Sequence, residues 1–240
     1  MADVTAIITC MTDAERPFVA DAIRSVQRQT APTDITLCVM DDNDWIDEIL
    51  ASVEPGVDLL RLKGGWVGAV RNRAIERART EYVAFLDGDD LWEPEKTAKQ
   101  LSFMASHPGL AVIGAKHVLI RTEGTPYFFG FAKEIPMPSS WFGRTDWFVE
   151  NPFDDDLAVN EDQPLWKVLR DSGRCGIMDD FLIRYRVRDV SLSSQAPSKQ
   201  RKAAYARRSR IFGLRPVFLG TSYAVNIGLR VRKRVVSSAT

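Results

Sequence analysis

The sequence predicts an α/β protein, a mostly parallel sheet flanked by helices, on three observations. Short β-branched apolar runs alternate with stretches whose apolar residues recur at helical spacing. Two of those runs end in acidic clusters, at 41–44 and 87–90, where an open α/β sheet presents the carboxyl ends of its strands. The composition is that of a globular chain, 240 residues with 45% hydrophobic and 27% charged. That mixture excludes disordered, collagen-like and low-complexity classes, and the length permits one large domain with an appendage.

Taken in order, residues 4–9 (VTAIIT) read as a buried strand. Pro17 suits the first turn of a helix, and Phe18, Ala22, Ile23 and Val26 place that helix over 17–29. Residues 35–40 (ITLCVM) are a second strand running into Asp41-Asp42-Asn43-Asp44. A short helix at 44–53, a strand at 57–62 and a turn at Gly64-Gly65 follow. Residues 67–79 alternate apolar and basic positions as an exposed helix would, and 81–86 (EYVAFL) form a strand ending in Asp87-Gly88-Asp89-Asp90. Pro94 opens a helix to about Ser106, and 110–120 read as a strand. Residues 125–153 are rich in aromatics and prolines without a clean period. A helix is expected from Glu161 to Leu169, a strand over 181–187, and a basic helix from Pro197 to Ile211.

Other features bound the function. No run of about 18 uncharged apolar residues is present, so no membrane-spanning helix is expected, and MADVTAIITCM lacks the basic start of a signal peptide. Cys10, Cys38 and Cys175 fit neither a disulfide framework nor a zinc site, which suits a reducing compartment. The net charge of zero hides a division: all 32 acidic residues lie between Asp3 and Asp189, whereas the chain from Val190 onward carries eleven basic residues and no acid. Such a tail is expected to meet something anionic. His107 and His117 are isolated and read as structural.

The strand-end carboxylates carry the chemistry. Asp87 and Asp89 offer hard oxygens suited to Mg²⁺ or Mn²⁺, which is commonly held by one or two carboxylates together with substrate phosphates. Turn and helix-cap roles are the plainer alternative for both clusters, and a helix-start pair is the plainer alternative for Glu161-Asp162.

At this point the chain resembles family 2 glycosyltransferases of the GT-A fold. VTAIIT at 4–9 is similar to that family's first strand, AIRSVQRQT at 22–30 to its first helix, and VMDDN at 39–43 to its nucleotide-binding strand end. The most specific stretch, GAVRNRAIERARTEYVAFLDGDDLWEP at 68–94, resembles its Ala-Arg-Asn helix, strand and DxD motif. PFDDDLAVNEDQPLW at 152–166 resembles the acceptor-side segment with its Glu-Asp pair, and LIRYRVRDVSLSS at 182–194 the closing Tyr-Arg-Val segment. The likeness covers roughly residues 4–195 and implies domains at 1–195 and 196–240.

The resemblance implies roles. Asp42 would bind the nucleotide base, a uracil, with Thr9 and Asp13 near it, and Arg71 would sit near the nucleotide. Asp89 would bind the metal, and Asp87 would lie by the ribose and donor sugar. Asp162 would be the general base, with Glu161 and Trp166 on the acceptor side. Trp141 and Trp147 share one helical spacing with Phe142 and Phe148, which suits packing or, alternatively, an aromatic wall for an acceptor. The chain departs from the family at Thr9-Cys10-Met11-Thr12, where a Pro-x-Tyr-Asn is usual, and at Arg188, where a His is frequent. Arg188 cannot ligate a metal but can pair with phosphate. The Gln-x-x-Arg-Trp motif of processive synthases is absent, which implies transfer of a single sugar.

The implied activity is inverting transfer from a nucleotide-diphosphate sugar to a glycan or lipid-linked acceptor, as in polysaccharide biosynthesis. A non-catalytic binding module and a nucleotidyltransferase on a related sheet remain alternatives. Residues 216–229 form an uncharged stretch flanked by basic residues, too short to span a bilayer but suited to its interface. That favours a cytoplasmic protein held through 199–240 on an anionic membrane face, with packing on the acidic body as the alternative and no nucleic-acid partner.

Overall fold

The computed structural model describes residues 2–130 and 135–188. The extension expected over 196–240, its helix, its uncharged stretch and the Ser-x-Ser segment at 191–194 lie outside the described residues.

The elements run β1 (Val4–Cys10), α1 (Val19–Gln27), β2 (Thr33–Met40), α2 (Ile46–Leu50), β3 (Val57–Leu62), α3 (Val67–Arg77) and β4 (Tyr82–Asp87). They continue with β5 (Leu91–Trp92), α4 (Lys96–Ser106), β6 (Val112–Ile120), β7 (Pro126–Gly130), β8 (Phe142–Arg144), α5 (Thr145–Glu150), α6 (Asp162–Asp171) and β9 (Cys175–Arg186). The sheet order is β3-β2-β1-β4-β8-β6-β9-β5, with β7 paired to β6. From β3 to β4 every pairing is parallel. Beyond β4 the sheet is mixed: β8 runs antiparallel to β4 and β6, while β9 is parallel to β6.

This order sets the site. The chain builds β1, β2 and β3 outward in one direction, then returns to lay β4 on the other side of β1. The switch point of the parallel half therefore lies between β1 and β4, where an open α/β sheet leaves its ligand crevice. The register puts Thr9 opposite Asp87 there.

Two apolar layers cover the sheet, which is why β1 reads as an unbroken apolar run: all seven of its residues are buried. Val4, Ala6, Ile8 and Cys10 face α1 and α2, in one cluster with Val19, Ile23, Val26 and Ile46. Ile7 joins the opposite cluster with Val83 and Phe85 of β4, Val70, Ala74 and Ile75 of α3, Trp147 and Phe148 of α5, and Leu165, Trp166 and Leu169 of α6. The helix expected to be exposed at 67–79 is therefore amphipathic, and its buried face includes Arg71. The expected strand at 57–62 is found with those bounds, whereas the strand expected at 181–187 starts at Cys175. That extension carries Asp179 and Asp180 through a register shift opposite Ala115 and Lys116, and Lys116 pairs with Asp179 at 2.8 Å.

Candidate active site

Each carboxylate of the switch point is held by a separate element. Asp87 ends β4, with its side chain 37% exposed. One of its oxygens accepts from Arg71 Nη2 at 2.7 Å and from the Thr9 hydroxyl at 3.3 Å. Gly88 donates its amide to Thr9 O at 2.8 Å, and a Cβ at Gly88 would stand 3.1 Å from that carbonyl, so this close approach of the turn to β1 wants no side chain. Ser139 supports the turn from beneath: its Oγ accepts from the Asp87 amide at 3.2 Å and donates to Asp90 at 2.7 Å.

Asp89 is buried and pairs with Arg188 Nε at 2.6 Å. Burial and then the neighbouring Asp87 charge push its carboxyl up to about 6, although Arg188 pulls the other way. Asp90 is fully buried and raised by burial, then by Asp89 and Asp87. It accepts from the Arg186 amide at 2.9 Å, and Arg186 Nε donates to Asp89 O at 2.8 Å.

Arg71 joins the end of β4 to the segment that leads into α6. Its side chain is 2% exposed, and it pairs at once with Asp87 and with the buried Glu161. Phe85 and Phe153 lie 5.8 and 5.6 Å from its guanidinium carbon. Burial alone would lower its pKa, but Asp87 and Glu161 hold it above the ordinary arginine value, with Asp162 adding to the effect. Next to it, the Asn72 amide donates to Phe153 O at 2.9 Å and to Asp155 at 2.7 Å, and accepts from the Phe153 amide at 2.9 Å. A Cβ at Gly68 would stand 3.0 Å from Asp154 O, so α3 reaches this segment closely at its first turn.

The remaining expected site residues are placed as follows. Asp13 opens a 3-10 turn (Asp13–Glu15) after β1 and accepts from Trp45 Nε1 at 2.5 Å. Asp42 is exposed at the end of β2, and Asn43 beside it is buried with an amide nitrogen that has no partner among the described residues. Asp162 is half-buried as the first residue of α6, directly after Glu161. Trp141 and Trp147 take the packing role rather than that of an acceptor wall, and Trp166, expected on the acceptor side, is buried with them. They are 0%, 4% and 1% exposed, within the apolar cluster under the sheet. Trp141 tilts on Trp166 at 5.2 Å and stacks on Phe153 at 6.1 Å, so neither face is open to a sugar. Cys10 and Cys38 are buried, and burial raises both thiols, Cys38 to about 12.

One residue was missed in the sequence. Glu15, 4% exposed, accepts from the Thr12 amide at 2.7 Å and from Arg188 Nη2 at 3.1 Å. Its signal was available: Thr12-Asp13-Ala14-Glu15 has the spacing of a capping box, and the structure forms one.

A divalent cation such as Mg²⁺ takes oxygen ligands. Among the described residues no group of three His, Cys, Asp or Glu side chains gathers to hold one. Asp87 and Asp89 do fit a cation completed by phosphate oxygens, since each has one oxygen outside the ion pairs given above. At Asp89 that cation would share its carboxylate with the Arg188 guanidinium.

Comparison with known proteins bears on the family and the fold. The model of the family "Glycosyl transferase family 2" matches residues 5–131. A putative teichuronic acid biosynthesis glycosyltransferase of Bacillus subtilis, TuaG, is 34% identical over 117 residues, which cover 46% of each chain. An Escherichia coli protein named as a UDP-Glc:alpha-D-GlcNAc-diphosphoundecaprenol beta-1,3-glucosyltransferase is 27% identical over 205 residues, 80% of each chain. The crystal structure of S. aureus TarS 1-349 with UDP-GlcNAc superposes with a TM-score of 0.67 at 18% identity, over 82% of this chain and 62% of that one. That likeness bears on the fold. The chain spans less than half the length of the first curated relatives it matches.

Proposed function

The chain belongs to glycosyl transferase family 2, and from that premise we propose that it moves one sugar from a nucleotide-diphosphate sugar to a hydroxyl of a glycan or lipid-linked acceptor. The observation that carries this reading is the double pairing of Arg71. It ties Asp87, at the sheet's switch point, to Glu161, which leads into the helix that starts with Asp162.

On the donor side, Thr9, Asp13 and Asp42 line the ends of β1 and β2 for a uracil-type base, and Asp87 faces the ribose and sugar. Arg71 acts through Asp87 and Glu161, which accept from its two terminal nitrogens. Asp89 and Asp87 would hold a divalent cation, Mn²⁺ or Mg²⁺, which would supply positive charge to the departing diphosphate. Asp162 removes the proton from the acceptor hydroxyl while that oxygen attacks the anomeric carbon. The bond from that carbon to the diphosphate oxygen breaks in the same step, so the configuration inverts and a nucleoside diphosphate leaves. Arg71 and Glu161 position Asp162 for this and exclude water beneath it.

A lipid-linked acceptor is supported by the activity for which the Escherichia coli relative is named and by the basic, partly uncharged segment at 199–240. On this reading the domain over 1–195 works in the cytoplasm at the inner membrane face. Among the described residues no helix is long and apolar enough to cross a membrane. Asp162→Asn is the test: it should retain nucleoside diphosphate binding and lose transfer to a lipid-linked glycan extract by 10²-fold or more, about the value of a general base. Transfer at the parental rate would remove Asp162 from its role.

A further inference from the structure

The Arg188 guanidinium pairs with two carboxylates and a backbone carbonyl beside the turn that follows β4. Its Nε donates to Asp89 at 2.6 Å, its Nη2 to Glu15 at 3.1 Å and its Nη1 to Ala14 O at 2.9 Å. The side chain is 11% exposed, Glu15 is 5% and Asp89 is 12%. Glu15 is itself fixed, because the Thr12 amide and hydroxyl donate to its other oxygen at 2.7 and 2.9 Å. A guanidinium has five N–H donors. Three are engaged here, and one on each terminal nitrogen has no acceptor among the described residues. Two N–H groups on adjacent nitrogens of one plane match two oxygens of a phosphate.

The charges agree with a standing role. Burial would lower the pKa of Arg188, but Asp89 and Glu15 hold it above the ordinary value, so it stays cationic throughout. A divalent ion approaching Asp89 meets this fixed positive charge within one side-chain contact, which opposes its binding.

Resting on the proposed donor site, we infer that Arg188, held on Asp89 by Glu15, is a built-in counter-cation for the donor diphosphate and competes with a divalent metal for Asp89. The protein therefore binds a nucleoside diphosphate without added metal. Arg188 touches the diphosphate, and Glu15 is a positioning residue that fixes the direction of its free N–H groups.

The test is calorimetric titration of the full chain with UDP and UMP, and with GDP and GMP, in EDTA and in Mn²⁺. In EDTA the wild type should bind the diphosphate at least tenfold more tightly than the monophosphate. Arg188→Gln should reduce that preference to within about twofold while monophosphate affinity holds, and Arg188→Lys should restore part of it. Glu15→Gln should fall between wild type and Arg188→Gln. Mn²⁺ binding without nucleotide, followed by its electron paramagnetic resonance signal, should tighten several-fold in Arg188→Gln, and the lost diphosphate preference is the change that removal of a purely structural ion pair would not produce. Diphosphate binding seen only with Mn²⁺, or a preference unchanged in Arg188→Gln, would overturn the inference and leave the proposed function standing. Binding of no nucleotide under any condition would overturn both.

Discussion

The two halves of the sheet place their conspicuous residues in opposite settings. In the parallel half, β1 to β4, polar groups gather at strand ends: Thr9, Asp42 and Asp87 sit at the carboxyl edge, and Asp42 is open to solvent. In the mixed half the conspicuous residues are aromatic and turn inward. Trp141, Phe148, Phe153 and Trp166 stack beneath the sheet and support α5 and α6 from inside. A strand's direction decides where its end falls, so a motif at a strand end announces its position. An aromatic at helical spacing announces only that one face is apolar. Arg71 and Asn72 join the halves, one through carboxylates and the other through the backbone of Phe153.

The largest effects are expected at this junction and in the aromatic core. Arg71→Met leaves the buried Glu161 charge without its partner and should cost about 3–5 kcal/mol in denaturant unfolding. Trp141→Ala should cost a similar amount, about 3–5 kcal/mol, through the cavity it opens. A loss under about 1 kcal/mol there would mean the mixed half presents its rings as a surface. Asn72→Ala strands the amide and carbonyl of Phe153 and should cost about 1–3 kcal/mol.

Lys96 gives a pH-dependent test. It is fully buried, its Nζ donates to Gln100 at 2.7 Å and lies 3.9 Å from the Trp92 ring centre, and burial lowers its pKa well below the ordinary value. Between that lowered value and the unfolded one, about 10.4, the unfolded chain binds the extra proton, so stability rises with pH across this window. Lys96→Met should flatten that rise in urea midpoints taken from neutral pH to about pH 10. The smallest change is expected on the open edge: Asp42→Ala should shift stability by no more than about 0.5 kcal/mol while weakening nucleotide binding. An equal loss of stability would make Asp42 a structural turn residue.

Legibility followed the same division. Strand β3 was readable because the Gly64-Gly65 turn closes it, and Asp87 and Asp89 were readable as a carboxylate pair at and just after the end of β4. The first six residues of β9 were not, since Asp179 and Asp180 break the apolar pattern and are accommodated by a register shift and the ion pair with Lys116. Strands β5 and β8 have two and three residues, too few for any period to show. Of the site, the carboxylates were visible as types, but the partner of each was not. That Arg71 spans Asp87 and Glu161, 90 residues apart from the latter, depends on how α3 packs against the 152–161 segment. Glu15 was hidden for another reason: the capping box explains its spacing locally and gives no hint of Arg188, 173 residues away.

On the proposed function, the β1–β4 switch point binds a nucleoside diphosphate through the Asp87 carboxylate shared by Thr9 and Arg71. Titration calorimetry of UDP and GDP into wild type and Asp87→Asn is the decisive measurement. Saturable binding of one of them to the wild type and a loss of at least tenfold in Asp87→Asn are expected, with the variant still folded by circular dichroism. Equal affinity in a folded Asp87→Asn protein would move the donor site away from this crevice.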